Sequence, residues 1–545
     1  MAMQQMTLPQ ILGSAVQRSP DTEALIFPNV RLTYRELQDR VNKVARSLMG
    51  MGVSSGDVVG VVMPNCAENV ILLFATATIG GLYVPINNRF RARELAHVIS
   101  DSGMKVLVTN DIAAEQVDYA ERIQQAVPEL ADAPAGKTPK SASAPNLDYV
   151  VMLGNTRANG MLSPVEFDAF ADDIGDDQLA TQAASVDVDM PVLMLYTSGT
   201  TSMPKGCPMT HEQFTSTCIS VAQRLSLRAD DRLWNALPMF HASSLIPMTA
   251  AFHTTATFIS QLHFSADETL KQLVEDNATY GWPAYDLIWQ QILTHPDFDK
   301  VKDKLSRIRG LLMVGPFETL KSMEAILPNA KILSCYGITE CSGLPVMPRY
   351  EDEQAIRIGT SGLPLEGMEA QIRDPESNEP LPNGERGALW IRGKNVINAY
   401  WNDPEKTAEA FDEDHWFNTG DLGSMDDRGY IYFHGRLKDT LKVGGENVAA
   451  VEVEAFLAQH PAVKTAAVVG VPDQKLVEVP AAFVELRPGA SATEEEIIQY
   501  CKDDLAGFKV PRYVRFVTEW PMSATKIRKV DLRAQILKEL GISED

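Results

Sequence analysis

The sequence predicts an α/β protein with a large N-terminal domain of several subdomains, about residues 1–435, and a small C-terminal α+β domain, about 436–545. Three observations carry this. The 545 residues correspond to about three or four folding units. Short apolar runs alternate with helical patterns through the early chain, as in a largely parallel sheet. After Gly435 a charged segment, RLKDTLKVGGEN (436–447), precedes a compact β/α remainder.

The elements follow in order. Thr33 with Glu36 reads as a capping box, and Leu37, Val41, Val44 and Leu48 then recur at helical spacing. VVGVVM (58–63) is a continuous apolar run, as in a strand buried on both faces. A helical stretch from Ala67 to Ile79 is closed by Gly80 and Gly81. YVPI (83–86) and KVLVT (105–109) read as strands. Residues 131–146, rich in Ala, Pro and Ser, read as a flexible surface insertion before strand YVVML (149–153). Further strands are PVLMLYT (191–197), KILSCYG (331–337), ALWIR (388–392) and YIYFHG (430–435). In the C-terminal part, TAAVVGV (465–471), AAFVEL (481–486) and YVRFV (513–517) read as strands, with helices over 451–458 and 494–505.

Composition excludes several classes. A hydrophobic content of 45% with 22% charged residues is that of a globular chain, not a disordered one. A formal net charge of −23 argues against a general nucleic-acid binder, which needs clustered cations. The six cysteines form no CxxC pair, so a structural zinc site is not expected, and their thin spread fits a reducing compartment. The N-terminus has no basic start followed by an apolar stretch, and no run approaches the roughly eighteen apolar residues of a membrane span. A cytoplasmic enzyme is expected. If the chain associates, a homodimer is the commonest outcome.

YTSGTTSMPKGCPMTHE (196–212) is the most informative segment. An apolar strand runs into a loop dense in Thr, Ser and Gly that carries Lys205. Backbone N–H and hydroxyl groups of such a loop can converge on phosphate oxygens, and the lysine adds charge. It is not a GxxxxGK[ST] loop, because Pro204 precedes Lys205 and Gly206 follows it. The alternative is a polar surface loop.

The segment resembles the phosphate loop of the AMP-forming acyl- and aryl-CoA synthetases, the adenylating superfamily that includes luciferases and nonribosomal adenylation domains. The usual pattern is [ST]SG[ST]TGxPKG; this chain has Ser202 where glycine is usual. The resemblance recurs in order along nearly the whole chain: PMFHASS (238–244), VGPFE (314–318), YGITE (336–340), TGD (419–421), GRLKDTLKVGGENV (435–448) and PMSATKIRK (521–529). VGPFE is less glycine-rich than usual, and PMSATKIRK lacks the usual glycine before its lysine.

The resemblance implies residue roles. Thr197, Ser198, Gly199, Thr200, Thr201 and Lys205 would hold phosphates. Gly315 and the aromatic face of Tyr336, with Gly337, would contact adenine. Thr339 would bond a phosphate oxygen, and Glu340 would hold Mg²⁺, a hard cation that prefers oxygen ligands. Asp421 would accept hydrogen bonds from the ribose hydroxyls, assisted by Arg436; a simple turn is the other reading of TGD. Lys526 would bridge the carboxylate and the α-phosphate, with Lys529 as the alternative, or both as plain surface cations. Phe240 and His241 would line the acyl pocket, although a core histidine fits equally.

The activity so implied is AMP-forming ligation of a carboxylic acid to coenzyme A, and the largely apolar stretch Pro238–Thr249 around His241 adds the expectation of a predominantly apolar acid. Mg-ATP and the acid give acyl-adenylate and pyrophosphate, and the CoA thiol then releases AMP. The mobile C-terminal domain would rotate between the two steps about Lys438, bringing Lys442, Gly444 and Gly445 to the site. Two alternatives stay open: transfer to a carrier-protein thiol, and a non-catalytic acyl or nucleotide sensor.

Overall fold

The computed structural model describes residues 5–197, 203–443, 446–473, 475–523 and 526–542, without the side chains of Lys438, Glu446, Asn447, Ser523 and Lys526. The chain forms two compact units: Met1–Glu369 with Ile391–Phe417, and Ala370–Trp390 with Asn418–Asp545. The boundary expected at 435/436 falls inside the second unit.

Two sheets organise the first unit. One has six strands in the order Tyr149–Leu153, Val106–Asn110, Val58–Val62, Leu82–Pro85, Pro191–Thr197, Lys205–Thr210. The other has seven, in the order Lys331–Leu333, Gly310–Val314, Tyr280–Tyr285, Arg232–Trp234, Thr257–Ile259, Glu23–Phe27, Val30–Thr33. Each sheet is parallel except for one antiparallel edge strand: Lys205–Thr210 in the first and Val30–Thr33 in the second. Val58–Val62 is buried at every position, as its unbroken apolar run requires.

Thr33 caps helix Tyr34–Gly50 in the expected capping box with Glu36. Helix Ala67–Thr78 is buried along nearly its whole length, which explains why it is apolar all round. Its Phe74 ring meets Phe252 of helix Ala242–Thr254 at 5.7 Å between centroids.

In the second unit, an antiparallel pair, Phe417–Met425 with Ile431–Arg436, belongs to a four-stranded sheet that lies mostly within the unit. Farther on, strands Val463–Asp473 and Val477–Leu486 anchor a five-stranded sheet with helices on both faces. Val468 and Val484 pack with Val453, Leu457 and Ile497 of the two helices on one face. The alternate residues Ala467, Val469 and Phe483 pack with Leu532 and Ile536 on the other. Both parities of these strands are therefore apolar, and this gives the runs read from the sequence.

Residues 131–146 differ from expectation. They lack helix or strand but pack back on the six-stranded sheet: Ala144 is buried in its core, and the Ser141 hydroxyl donates to Glu129 at 2.9 Å. Small side chains allow this close approach, which composition alone reads as looseness. Strand KILSCYG shortens to Lys331–Leu333, since the chain turns before Tyr336. Among the described residues, no helix is long and apolar enough to cross a membrane.

Candidate active site

Ligands of open parallel sheets sit beyond the carboxyl ends of the strands. Four neighbouring parallel strands of the seven-stranded sheet end at segments singled out from the sequence or next to them. Lys331–Leu333 runs into YGITE, Gly310–Val314 into Gly315, Tyr280–Tyr285 into Asp286, and Arg232–Trp234 into 235–241. In the six-stranded sheet, Pro191–Thr197 runs into the phosphate loop. Ser198, Gly199, Thr200, Thr201 and Ser202 lie outside the described residues.

Both edges of that loop are held. Thr197 pairs with Lys205 across the antiparallel edge. The Pro204 carbonyl lies 2.9 Å from His97 Nε2, and the Gly206 carbonyl accepts from Trp401 N–H at 2.8 Å. The Lys205 ammonium lies 5.3 Å from the centre of the Tyr400 ring, within cation–π range. The Tyr400 hydroxyl donates to Glu340 Oε1 at 2.9 Å. Burial first, and the Glu340 charge second, push the Tyr400 phenol well above its usual range, so it stays a donor. Glu340 is therefore not a free surface acid.

YGITE is held by close backbone approach. Tyr336 is buried and forms a bridge with Val346. A Cβ at Gly337 would lie 2.6 Å from the Gly343 carbonyl oxygen, so only glycine fits there. Thr339 and Glu340 fall in a short 3₁₀ turn, and the Glu340 carbonyl accepts from Ile397 N–H at 2.8 Å. Gly315 presses on Asp286: a Cβ there would lie 2.9 Å from the Asp286 Cβ and Cγ. Burial raises the Asp286 carboxyl, and the Leu287 N–H partly offsets this.

Two asparagines latch the segment that carries Phe240 and His241. Asn65 donates to the Leu237 carbonyl at 2.9 Å and accepts from Met239 N–H at 2.8 Å. Asn235, fully buried, donates to the carbonyls of Ser243 and Trp282 at 3.2 and 3.1 Å. Pro247 lies inside helix Ala242–Thr254 and has no N–H to offer the carbonyl four residues back, that of Ser243. Asn235 takes the place of that missing donor. His241 is the N-cap of this helix, and its ring lies 4.6 Å from that of Phe240.

In the second unit, Asp421 and Arg436 face each other across antiparallel strands, with Arg436 Nε 3.0 Å from Asp421 Oδ1. The Thr419 hydroxyl donates to the Leu389 carbonyl at 2.7 Å and accepts from Asp421 N–H at 3.1 Å. TGD is thus not a simple turn: it lies within strand Phe417–Met425, which places the Asp421 carboxylate. Lys442 is exposed, with Glu376 at 3.7 Å. Leu437–Asp439 forms a 3₁₀ turn that includes the Lys438 backbone. The Lys526 backbone pairs with that of Ser523 in a short antiparallel ladder. The Lys438 and Lys526 side chains, and Gly444 and Gly445, lie outside the described residues. Lys529, the alternative catalytic cation, is committed elsewhere: its ammonium lies 2.7 Å from Glu454, with both side chains largely buried.

A family model for AMP-binding enzymes matches residues 12–401, and one for the C-terminal domain of AMP-binding enzymes matches residues 452–526. The chain belongs to the AMP-binding enzyme family. This AMP-binding enzyme is 34% identical to YngI of Bacillus subtilis, provisionally named an acyl-CoA synthetase, over 98% of both chains. It is 31% identical to the mitochondrial medium-chain acyl-CoA ligase ACSF2 of Rattus norvegicus, over 98% of this chain and 88% of that one. The solved structure of the anthranilate CoA ligase AuaEII with anthranoyl-AMP superposes with a TM-score of 0.84 at 27% identity, covering 98% of each chain. The α/β fold of this AMP-binding enzyme, with its large N-terminal and small C-terminal parts, is that of these ligases.

Sequence reasoning on this AMP-binding enzyme missed Asn65, Asn235, His97, Asp286 and Tyr400. Each works through a partner that is remote in the chain or through a backbone group, which leaves no local pattern. Pro247 was the one readable signal, because a proline inside a helical segment implies a carbonyl in need of another donor.

Proposed function

We propose that this chain is an AMP-forming acyl-CoA synthetase acting on a predominantly apolar acid. The observation that carries the reading is the set of loops at the carboxyl ends of four neighbouring strands, together with the Lys205–Tyr400–Glu340 cluster. The acid's carboxylate oxygen attacks the α-phosphorus of ATP, and the bond to the bridging oxygen breaks to release pyrophosphate. The CoA sulfur then attacks the acyl carbon, and AMP leaves with the carboxyl oxygen.

Lys205 attracts phosphate oxygens, and Thr339 donates to one. Asp421, with Arg436, binds ribose. Lys526 bridges the two reacting anions, and rotation about Lys438 then brings Lys442, Gly444 and Gly445 to the thiol step. The donor set fits Mg²⁺. Among the described residues no group of three or more His, Cys, Asp or Glu is gathered for a metal, and one carboxylate plus substrate phosphates is how Mg²⁺ is commonly held. Glu340 would hold it, and the ion would neutralise phosphate charge. The apolar preference is supported by the buried helix beside His241 and by the medium-chain acid named for the rat relative. Each added CH₂ that is buried favours binding by about 0.8 kcal/mol.

The test is a panel of acetate, hexanoate, benzoate and a bulky alicyclic acid, with nucleotides resolved chromatographically, with and without CoA. AMP is expected, with acetate the weakest. Stoichiometric ADP refutes the adenylation, and acetate as the best acid refutes the pocket. Acyl transfer only to a phosphopantetheinylated carrier protein overturns CoA as the acceptor.

A further inference from the structure

Residues 395–401 carry no motif read from the sequence, yet they touch both halves of the nucleotide cluster. The Asn395 carbonyl accepts from the Ser342 hydroxyl at 2.7 Å, and Ile397 N–H donates to the Glu340 carbonyl at 2.8 Å. Trp401 N–H reaches the Gly206 carbonyl, just beyond Lys205. Between these anchors stands Tyr400, with its hydroxyl on Glu340 and its ring face near Lys205. Its own backbone N–H donates to the Thr407 hydroxyl at 3.0 Å, which fixes it to helix Pro404–Ala410.

From this we infer that Tyr400 is a positioning residue that sets the Glu340 carboxylate and the Lys205 ammonium for a metal–triphosphate ligand. The inference rests on the adenylating reading above. The two contacts are separable. The hydroxyl orients one oxygen of Glu340 and leaves the carboxylate charged, because a phenol donates without neutralising it. The ring holds Lys205 by its quadrupole without supplying an anion, so the ammonium keeps its charge for phosphate. A carboxylate in the ring's place would pair with Lys205 directly and compete with the ligand.

The test is calorimetric titration of ATP into the full chain without acid, at zero and at saturating Mg²⁺. Tyr400→Phe keeps the ring and removes the hydroxyl. It is expected to cut the Mg²⁺-dependent gain in ATP affinity by about tenfold, the scale of a hydrogen bond to a charged group, and to leave Mg²⁺-free affinity unchanged. Tyr400→Leu is expected to lower Mg²⁺-free affinity as well, by about three- to tenfold. In a Glu340→Gln background, Tyr400→Phe is expected to cause no further loss. Thermal melts establish that each variant is folded, and Tyr400→Phe alone carries the test if Tyr400→Leu is not. A wild-type Mg²⁺ gain in Tyr400→Phe, or equal losses with and without Mg²⁺, overturns the inference while wild-type binding upholds the adenylating reading. A wild type that binds no Mg-ATP overturns both.

Discussion

In the first unit, a lysine and a glutamate of opposite charge share one tyrosine; in the second, an aspartate and an arginine touch directly. The arrangements suit different ligands. Lys205 and Glu340 sit on opposite parts of Tyr400, and among the described residues neither forms an ion pair that a polyanion or a cation would have to break. Asp421 is almost fully buried, at 3% side-chain exposure, while Arg436 is 42% exposed. A buried carboxylate needs a compensating partner when no ligand is present, and Arg436 provides it. A sugar diol can add its hydroxyls to an acceptor that is already stabilised.

The sharpest way to break this contrast is Glu340→Gln. If Glu340 meets charge that develops during the reaction, adenylation should fall about 10²–10³-fold in a pyrophosphate-release assay. A drop of less than threefold would place Glu340 outside the chemistry.

A second contrast concerns acid stability. Burial holds His211 neutral, with its affinity for protons lowered to about pH 4, and its Nδ1 accepts from Leu8 N–H at 3.0 Å. The unfolded histidine titrates near 6.5. Stability is therefore fully present above about pH 6.5 and is lost as pH falls, by roughly 2 kcal/mol at pH 5 and about 3 by pH 4. His434, in the second unit, is also lowered to about 4, by burial and then by Arg386, but it is less enclosed and should contribute less. Calorimetric scans between pH 7 and 5 should flatten in His211→Asn, where the amide oxygen can replace Nδ1. An unchanged pH slope would reject His211 as the source.

Smaller effects separate the members of the second pair. Asp421→Asn should raise the KM for ATP about 10- to 100-fold, the range for hydrogen bonds to a charged acceptor. Arg436→Ala should raise it only a few-fold, since Arg436 assists the ribose-binding carboxylate rather than replacing it, but should lower the melting temperature by leaving the buried Asp421 charge uncompensated. Equal effects would mean that the arginine itself holds the ligand.

Much of this was legible before folding. Continuous apolar runs located the buried strands, because strands covered on both faces need apolar residues at both parities. Thr33 and Glu36 marked a helix start through purely local bonds. The ordered motifs marked loops that follow the carboxyl ends of neighbouring strands. What escaped was long-range and polar. YGITE singles out Glu340, but nothing in the sequence links it to Tyr400, sixty positions away, whose hydroxyl reaches it. Lys529 looked available until Glu454 was found beside it. Residues 131–146 looked loose, because alanine and serine are as common in packed turns as in mobile ones.

Pro247 has a consequence for anyone seeking a sturdier protein. Replacing it with alanine would restore the missing N–H and regularise a buried helix, and a thermal screen would score the change as an improvement. The restored donor would then compete for the Ser243 carbonyl with Asn235, whose amide also donates to the Trp282 carbonyl. The imperfect helix keeps an acceptor open to an outside partner, so the wall beside His241 owes its register to a defect. Selection for melting temperature alone would erase it; if His241 lines the acid site, as proposed, a loss of discrimination among acids would be the first sign.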